Sequence, residues 1–163
     1  MASLAAIAAA IAAVVGPVNG GAVTSATQPI PARRAASGWT AFLGTWTVPD
    51  GGRRLVRATS VAYRGETREA RTVALGAALT LRRTRWSVRH LEAWTTDSEG
   101  AFRDRLEAMA AALDAARSLG GTVDDHGPLT VRVEPDGVFL ANLLCHAADL
   151  SFEAWHEEAV ATS

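Results

Sequence analysis

No lysine occurs in this sequence and cysteine occurs once, and each shortage limits the kinds of protein that the sequence can encode. All sixteen basic side chains are arginine, a residue favoured at protein interfaces for its bidentate pairing, although codon composition alone can produce the same bias. The single cysteine, Cys145, excludes an intramolecular disulfide framework and is typical of a small buried side chain in a reducing compartment. P-loop, dinucleotide-fingerprint and nucleophile-elbow patterns are also absent. The sequence therefore lacks these common motifs of enzymes.

A long hydrophobic run is missing as well. The most apolar stretch, residues 4–15, is too short to span a bilayer. A secretion signal would need a basic residue before it, and the first basic residue is Arg33. Its large side chains recur at steps of three and four: Leu4, Ile7, Ile11, Val14 and Val18. This spacing predicts a packing helix that begins after Ser3 and ends at Gly16-Pro17, with a signal or membrane segment as the alternative.

Length and composition indicate one domain that spans residues 1–163. The chain has 163 residues and 48% hydrophobic content, which is enough to bury a core. Much of that content is alanine, so the core must come from the five tryptophans, the four phenylalanines and the branched aliphatic residues. The net charge of −1 gives no reason to expect nucleic acid over the whole surface.

The charges are divided unevenly along the chain. Residues 1–95 hold twelve arginines against four acids, and residues 96–163 hold four arginines against thirteen acids. If the two halves present different surfaces, one copy can meet the next head to tail, through the heterologous contacts that form rings or filaments. Charge complementarity would then set the orientation of the copies. The alternative is that the two halves neutralise each other across one small domain.

The first half of the chain predicts a long connection followed by strands. Residues 16–38 contain several glycines and prolines and indicate an extended loop or arm. β-branched and aromatic residues predict strands at Trp39–Val48 and at about Arg54–Tyr63. The segment Arg64–Thr67 is interpreted as a loop tip, and one or two further strands are expected within 70–95.

The second half predicts one helix and then a short hairpin. A helix is expected at about Glu99–Leu119, with its apolar stripe at Phe102, Leu106, Met109 and Leu113. Leu129–Val133 predicts a short strand. Glu134–Gly137 predicts a hairpin turn, after which a strand resumes at Val138.

The last strand shows the clearest alternation in the chain. One face carries Leu144, His146, Ala148, Leu150, Phe152 and Ala154, and the other carries Asp149, Ser151, Glu153, Trp155 and Glu157. Leu150 and Phe152 are therefore expected to be buried. Together the elements predict an α+β fold: a mainly antiparallel sheet with an N-terminal helix and one long central helix packed on one face.

The residues that could carry chemistry are scattered. Cys145 and His146 are adjacent in a predicted strand, so their side chains point to opposite faces and cannot act together. His146 and His156 are too far apart along one strand to share a metal. The run Asp124-Asp125-His126 has no second cluster at metal-binding spacing, and a polar turn is the favoured interpretation. The sequence therefore predicts no catalytic, cofactor-binding or metal site.

The densest group of basic residues marks a candidate contact surface. Arg82, Arg83 and Arg85 come just before Trp86, and Arg89 follows on the same predicted strand. Three interpretations remain open for this strand: a solvated face, a protein interface, or a grip on single-stranded nucleic acid. In the interface interpretation, these arginines meet a neighbouring copy's Asp149, Glu153 and Glu157 on the last strand.

The order of these elements resembles that of the tail-terminator, or tail-completion, proteins of tailed phages. The resemblance is one of pattern and size and covers nearly the whole chain. It lies in the N-terminal helix, the early strands, the arginine-led strand RRTRWSVRHLEAW, the helix AFRDRLEAMAAALDAARSL and the terminal strand CHAADLSFEAWHE. The loop at 16–38 departs from the family pattern.

This resemblance implies a structural role. Proteins of that family are small α+β subunits that form a sixfold ring, cap the tail tube and provide the surface that joins the head. The expected partners are further copies of the chain, tail-tube proteins and head–tail connector proteins, without a membrane and with nucleic acid disfavoured. The expected location is the virion tail, assembled in the host cytoplasm. The alternatives are another connector or minor virion protein, a nucleic-acid-binding module that uses the Arg82–Arg89 strand, and an enzyme with a site assembled from scattered residues.

Overall fold

The computed structural model describes residues 2–20, 23–24, 47–73, 77–140 and 143–159. Within these ranges the chain forms two helices and seven strands. The helices are α1 (Leu4–Asn19) and α2 (Ser98–Ala115). The strands are β1 (Val23–Thr24), β2 (Thr47–Asp50), β3 (Arg53–Val73), β4 (Ala77–Ala93), β5 (Asp125–His126), β6 (Thr130–Leu140) and β7 (Leu143–Ala159). Residues 39–46 of the first predicted strand, and most of the predicted arm at 16–38, lie outside the described ranges.

The seven strands form one sheet with three long strands at its centre. β4 lies between β3 and β7, while β1 and β2 pair with β3, and β5 and β6 pair with β7. Among the strands in the described ranges, only the short β1–β3 pairing is parallel. The predicted mixture of helices and mainly antiparallel sheet is confirmed. The helices have 16 and 18 residues, so the expectation of one long central helix is not confirmed.

The main core lies between the two helices and one face of the sheet. α1 contributes Ile7, Ile11 and Val15, and α2 contributes Phe102, Leu106, Met109 and Leu113. The sheet contributes Val61, Trp86, Val88, Ala148, Leu150, Phe152 and Ala154. The predicted burial of Ile7, Ile11, Leu150 and Phe152 is confirmed. We call this side of the sheet the helix face and the other side the open face, because both helices pack on the former.

The N-terminal helix is one turn longer than predicted. It continues through Gly16-Pro17 to Asn19 and ends at Gly20, which has φ 79° and whose N–H bonds to the carbonyls of Gly16 and Pro17. The Arg105 Nη1 donates to the Val18 carbonyl at 3.2 Å, which satisfies an acceptor that a helix end leaves open. The carbonyls of Gly16, Pro17 and Val18 are thus satisfied at the end of the helix, although Pro17 itself has no N–H to donate. In the described part of the chain no helix is both long and apolar enough to cross a membrane.

Two predicted turns are bulges inside continuous strands. β3 passes through the expected loop at Arg64–Thr67. Its pairing with β4 shifts in register between Tyr63 and Gly65, and Gly65 has a φ of 123°. β6 passes through the expected turn at Glu134–Gly137: Glu134 pairs with Ala147 and Val138 pairs with Cys145, so residues 135–137 stand opposite a single residue. Glycine and proline mark an irregular backbone, but whether the chain turns or bulges depends on continued pairing with the neighbouring strand.

α2 ends earlier than the sequence pattern indicates. Its last residue is Ala115 instead of Leu119, which adopts a left-handed φ of 47° in the following turn. The buried ring of His126 lies against this end, with Nε2 2.9 Å from the Leu113 carbonyl and Nδ1 2.8 Å from the Gly127 carbonyl. β5 thus places a residue from outside the helix against a carbonyl of the last turn of α2.

The terminal strand separates two cores. Its helix-face residues are buried from His146 to Ala154, as predicted, but Leu144, predicted on the same buried face, is 37% exposed. On the open face Ser151 and Glu157 are exposed, while Asp149 and Glu153 are half-buried. At its start the open face is also buried, in a second cluster made by Val56, Ala58, Leu91, Leu140, Cys145 and Ala147. Cys145 and His146 point to opposite faces, as predicted, and burial raises the pKa of the Cys145 thiol to about 11.

Candidate subunit interface

The arginine-rich strand β4 distributes its side chains between the two faces of the sheet. Arg82 lies on the helix face, where it is buried and its Nη2 approaches Glu66 Oε2 to 2.7 Å. Arg83, Arg85 and Arg89 lie on the open face. The pKa of Glu66 is lowered chiefly by the hydrogen bond from Arg82. Arg82 is thus a structural side chain that joins β3 and β4.

The acidic residues expected to meet a neighbouring copy are paired within the chain. Arg83 Nη1 lies 3.2 Å from Glu153 Oε1, and Arg89 forms an ion pair with Asp149. Glu157 lies 4.0 Å from Arg71. The cause is the topology: the basic strand β4 and the acidic strand β7 are antiparallel neighbours, with Arg85 opposite Glu153 and Arg89 opposite Asp149. Among the seven predicted interface residues, only Arg85 has no ion pair within the described ranges.

Because these ion pairs lie within one chain, they limit the contribution that the uneven charge distribution can make to contacts between copies. The contacts between β4 and β7 agree with the alternative interpretation, in which the two halves of the chain neutralise each other across one domain. Pairs such as Arg83–Glu153, with side chains 41% and 36% exposed, are worth at most about 1 kcal/mol each. A role for these residues between copies stays a prediction, and it now depends mainly on Arg85.

A second candidate surface, which the sequence did not reveal, is an exposed apolar patch beside the edge strand β6. It consists of Trp94, Val131, Val133, Phe139 and Leu144, and Phe139 alone is 70% exposed. Phe139 and Leu144 face each other across β6 and β7, and the Leu144 carbonyl accepts the Trp94 N–H at 3.0 Å. Trp94 and Val133 line one cavity of about 390 Å³ beside α2. We call these five residues the apolar edge patch.

Four rings form a column behind this patch. Trp94 stacks on His146 with ring centroids 4.1 Å apart, His146 on Phe102 at 4.9 Å, and Phe102 on His90 at 5.8 Å. Ser98 Oγ lies 2.8 Å from His146 Nε2, but it also bonds the Thr95 N–H and carbonyl. This bonding fits a residue that holds the turn before α2, and it leaves the hydroxyl poorly placed as a nucleophile.

A buried polar network continues from this column. Glu92 Oε2 lies 2.9 Å from Arg105 Nε and 3.3 Å from His90 Nε2, and Oε1 lies 3.6 Å from Arg57 Nη2. Burial alone would raise the pKa of Glu92, but the hydrogen bonds from His90 and Arg105 lower it to about 2. The network therefore holds a carboxylate that stays ionised at neutral pH and ties β3 and β4 to α2.

The two stacked histidines should make the fold sensitive to acid. Burial lowers the pKa of both His90 and His146. As the pH falls through the ordinary histidine range near 6.5, the unfolded chain takes up these protons first, so stability present above that range is lost. We expect a lower melting temperature at about pH 5 than at about pH 7.5. In His146→Gln the difference should shrink, and an unchanged difference would show that His146 is not a source.

Within the described residues, no group of three or more His, Cys, Asp or Glu side chains could hold a metal ion. The run Asp124–His126 is divided between partners: Asp125 bonds Arg117, Asp124 approaches His156, and His126 is buried against carbonyls.

Comparisons with known proteins add nothing to these surfaces. No protein-family model matches the chain, and a search of curated proteins finds no match. The apolar edge patch and the open face of the sheet are therefore the features from which a function can be inferred.

Proposed function

We propose that the protein is a structural subunit that associates with copies of itself, and that the apolar edge patch is part of the contact. The observation that carries the proposal is the exposure of five large apolar side chains in one region, from 37% for Leu144 to 70% for Phe139. Single exposed apolar residues are ordinary, whereas several on one face of neighbouring strands, two of them lining a cavity, are typical of an interaction site.

The edge strand supports contact through side chains and not through extension of the sheet. An edge strand with free N–H and C=O groups can add a strand from another molecule. In β6, however, Pro135 removes one donor and the bulge at 135–137 breaks the regular ladder. A partner would therefore pack against Phe139, Val133 and Trp94.

The resemblance to tail-terminator proteins supplies the specific form of this assembly. In the proposal, the whole chain acts as one domain, its second helix is the central helix that packs on one face of the sheet, and copies close into a sixfold ring. The ring caps a tail tube and joins it to the head, which places the protein in the virion tail. The features that support this extension are the mixed α and β elements in the family's order and the exposed patch.

The patch gives a direct test by substitution. Phe139→Ser should weaken self-association by at least about tenfold, because it removes the most exposed apolar ring from the contact. Phe139→Leu is the matched control, since it keeps an apolar side chain at the same position and should retain most of the association. Sedimentation velocity measures the change, and circular dichroism checks that both variants are folded. Equal association of Phe139→Ser and the wild-type protein would remove this surface from the proposal.

A further inference from the structure

The open face of the sheet carries a basic cavity on the side opposite the helices. Its volume is about 600 Å³, and the guanidinium groups of Arg64, Arg83 and Arg85 line it together with Trp155 and Glu153. β4 and β7 supply its base, and one rim is formed by Gly127 and Pro128, which follow β5, and by Thr130 at the start of β6. It is separate from the cavity at the apolar edge patch, which lies on the helix face.

The cavity has more positive than negative charge. Arg83 is paired with Glu153 at 3.2 Å, which leaves Arg64 and Arg85 without an ion pair in the parts of the chain that the structure describes. The position of Arg85 is favoured by the bulge in β3, because a Cβ atom on Gly65 would come within 3.2 Å of Arg85 Nη2. Glycine at this position thus allows the guanidinium to lie over the backbone.

The outer surface of α2 carries the complementary charge. Its buried side faces the sheet through Phe102 and Met109, and its solvent side exposes Asp104 and Glu107. Neither carboxylate has an ion pair within the described residues, whereas the exposed cation of this helix, Arg103, is paired with Glu99 at 2.6 Å. Ala108 and Ala111 lie on the same exposed side and leave room for close approach.

We propose that the basic cavity receives the acidic outer face of α2 from a second copy of this chain, with Arg64 and Arg85 bound to Asp104 and Glu107. This inference rests on the self-association proposed above, and it identifies the basic cavity and the outer face of α2 as two surfaces that meet in the contact. Because the cavity and α2 lie on opposite sides of the sheet, each copy presents both surfaces. The contact is therefore heterologous and repeats head to tail, the arrangement from which rings are built.

Single-stranded nucleic acid is the competing occupant of an arginine cavity with a tryptophan. Stacking on an aromatic ring and contacts between arginine and phosphate are its usual mode of binding. Glu153 inside this cavity and Glu157 farther along the same face of β7 would repel a continuous phosphate backbone. The two arginines without an ion pair among the described residues, Arg64 and Arg85, match a pair of carboxylates better than they match a continuous phosphate backbone.

The test is a charge reversal with rescue. Arg85→Glu should weaken self-association at least about tenfold, and Glu107→Arg should do the same, because each places like charges together. The double variant Arg85→Glu with Glu107→Arg should regain much of the lost association, which misfolding cannot explain. Arg68→Glu is the control, since Arg68 is 55% exposed and lines neither this cavity nor the one at the apolar edge patch. Wild-type association should also weaken as salt rises above about 0.15 M.

The outcomes separate this inference from the function on which it rests. If Phe139→Ser weakens association but neither charge reversal does, the subunit role stands and this docking is wrong. If the wild-type chain is monomeric at every concentration, both proposals fail. If Arg85→Glu abolishes binding to a single-stranded oligonucleotide and leaves association intact, nucleic acid is the occupant and the docking is overturned.

Discussion

Phe102→Ala is expected to lower the free energy of unfolding by about 3–5 kcal/mol, the usual cost of removing a fully buried phenylalanine. Phe102 is 1% exposed and projects from α2 to the sheet, where it stacks between His146 and His90. The substitution leaves a cavity and separates the two imidazole rings from their shared partner. Urea denaturation followed by circular dichroism measures the change.

The matched control for this variant is Phe139→Ala. It is the same chemical change at a side chain that is 70% exposed, and its expected cost in the isolated subunit is under about 1 kcal/mol. Similar losses in the two variants would mean that the helix does not pack on the sheet through Phe102.

The second large effect is expected at Glu92. Glu92→Ala should cost about 3 kcal/mol, at the low end for a buried ion pair, because Arg57 and Arg105 would lose their carboxylate but keep some access to water. Their side chains are 27% and 20% exposed. Since the pKa of Glu92 is about 2, the loss should be present at every pH above the ordinary carboxyl range and should disappear only under strong acid.

Glu99→Ala is the control for this variant, because it removes a carboxylate whose ion pair on α2 is exposed to solvent. Its ion pair with Arg103 is 2.6 Å long, but both side chains are about two-thirds exposed, so the expected loss is at most about 1 kcal/mol. Equal losses at the two positions would show that burial of the Glu92 network contributes nothing to stability.

The sequence predicts those parts of the fold that depend on periodicity within one element. The apolar stripe from Phe102 to Leu113 and the alternation from His146 to Ala154 both identify buried faces, since each pattern repeats with the geometry of its own helix or strand. The burial of Ile7 and Ile11 follows from the same kind of spacing.

Features that depend on contacts between distant segments were predicted wrongly or not at all. The residues at 64–67 and 134–137 have turn chemistry, yet a neighbouring strand continues to pair on both sides of each, so they form bulges. The last turn of α2 contacts His126, which lies outside the helix, and the periodicity of the helix does not show this contact. The same limit applies to the ion pairs: nothing in the order of residues shows that β4 and β7 are neighbours, and this arrangement pairs Arg83 and Arg89 within the chain.

The apolar edge patch was missed for a similar reason. Val131 and Val133 alternate with Arg132 and Glu134, a pattern that predicts a buried apolar face. Whether that face is covered depends on where the helices stop, and here α1 and α2 leave the two valines 45% and 47% exposed. Periodicity indicates which side of a strand is apolar, whereas exposure is set by the packing of other elements.

The measurement that tests the central claim most directly is the mass of the wild-type protein in solution across a range of concentrations. Sedimentation equilibrium or native mass spectrometry would serve. Association through a head-to-tail contact that closes predicts one species with a fixed multiple of the monomer mass, sixfold for the proposed ring, which dissociates in Phe139→Ser. A wild-type chain that remains a folded monomer up to its solubility limit would contradict the account.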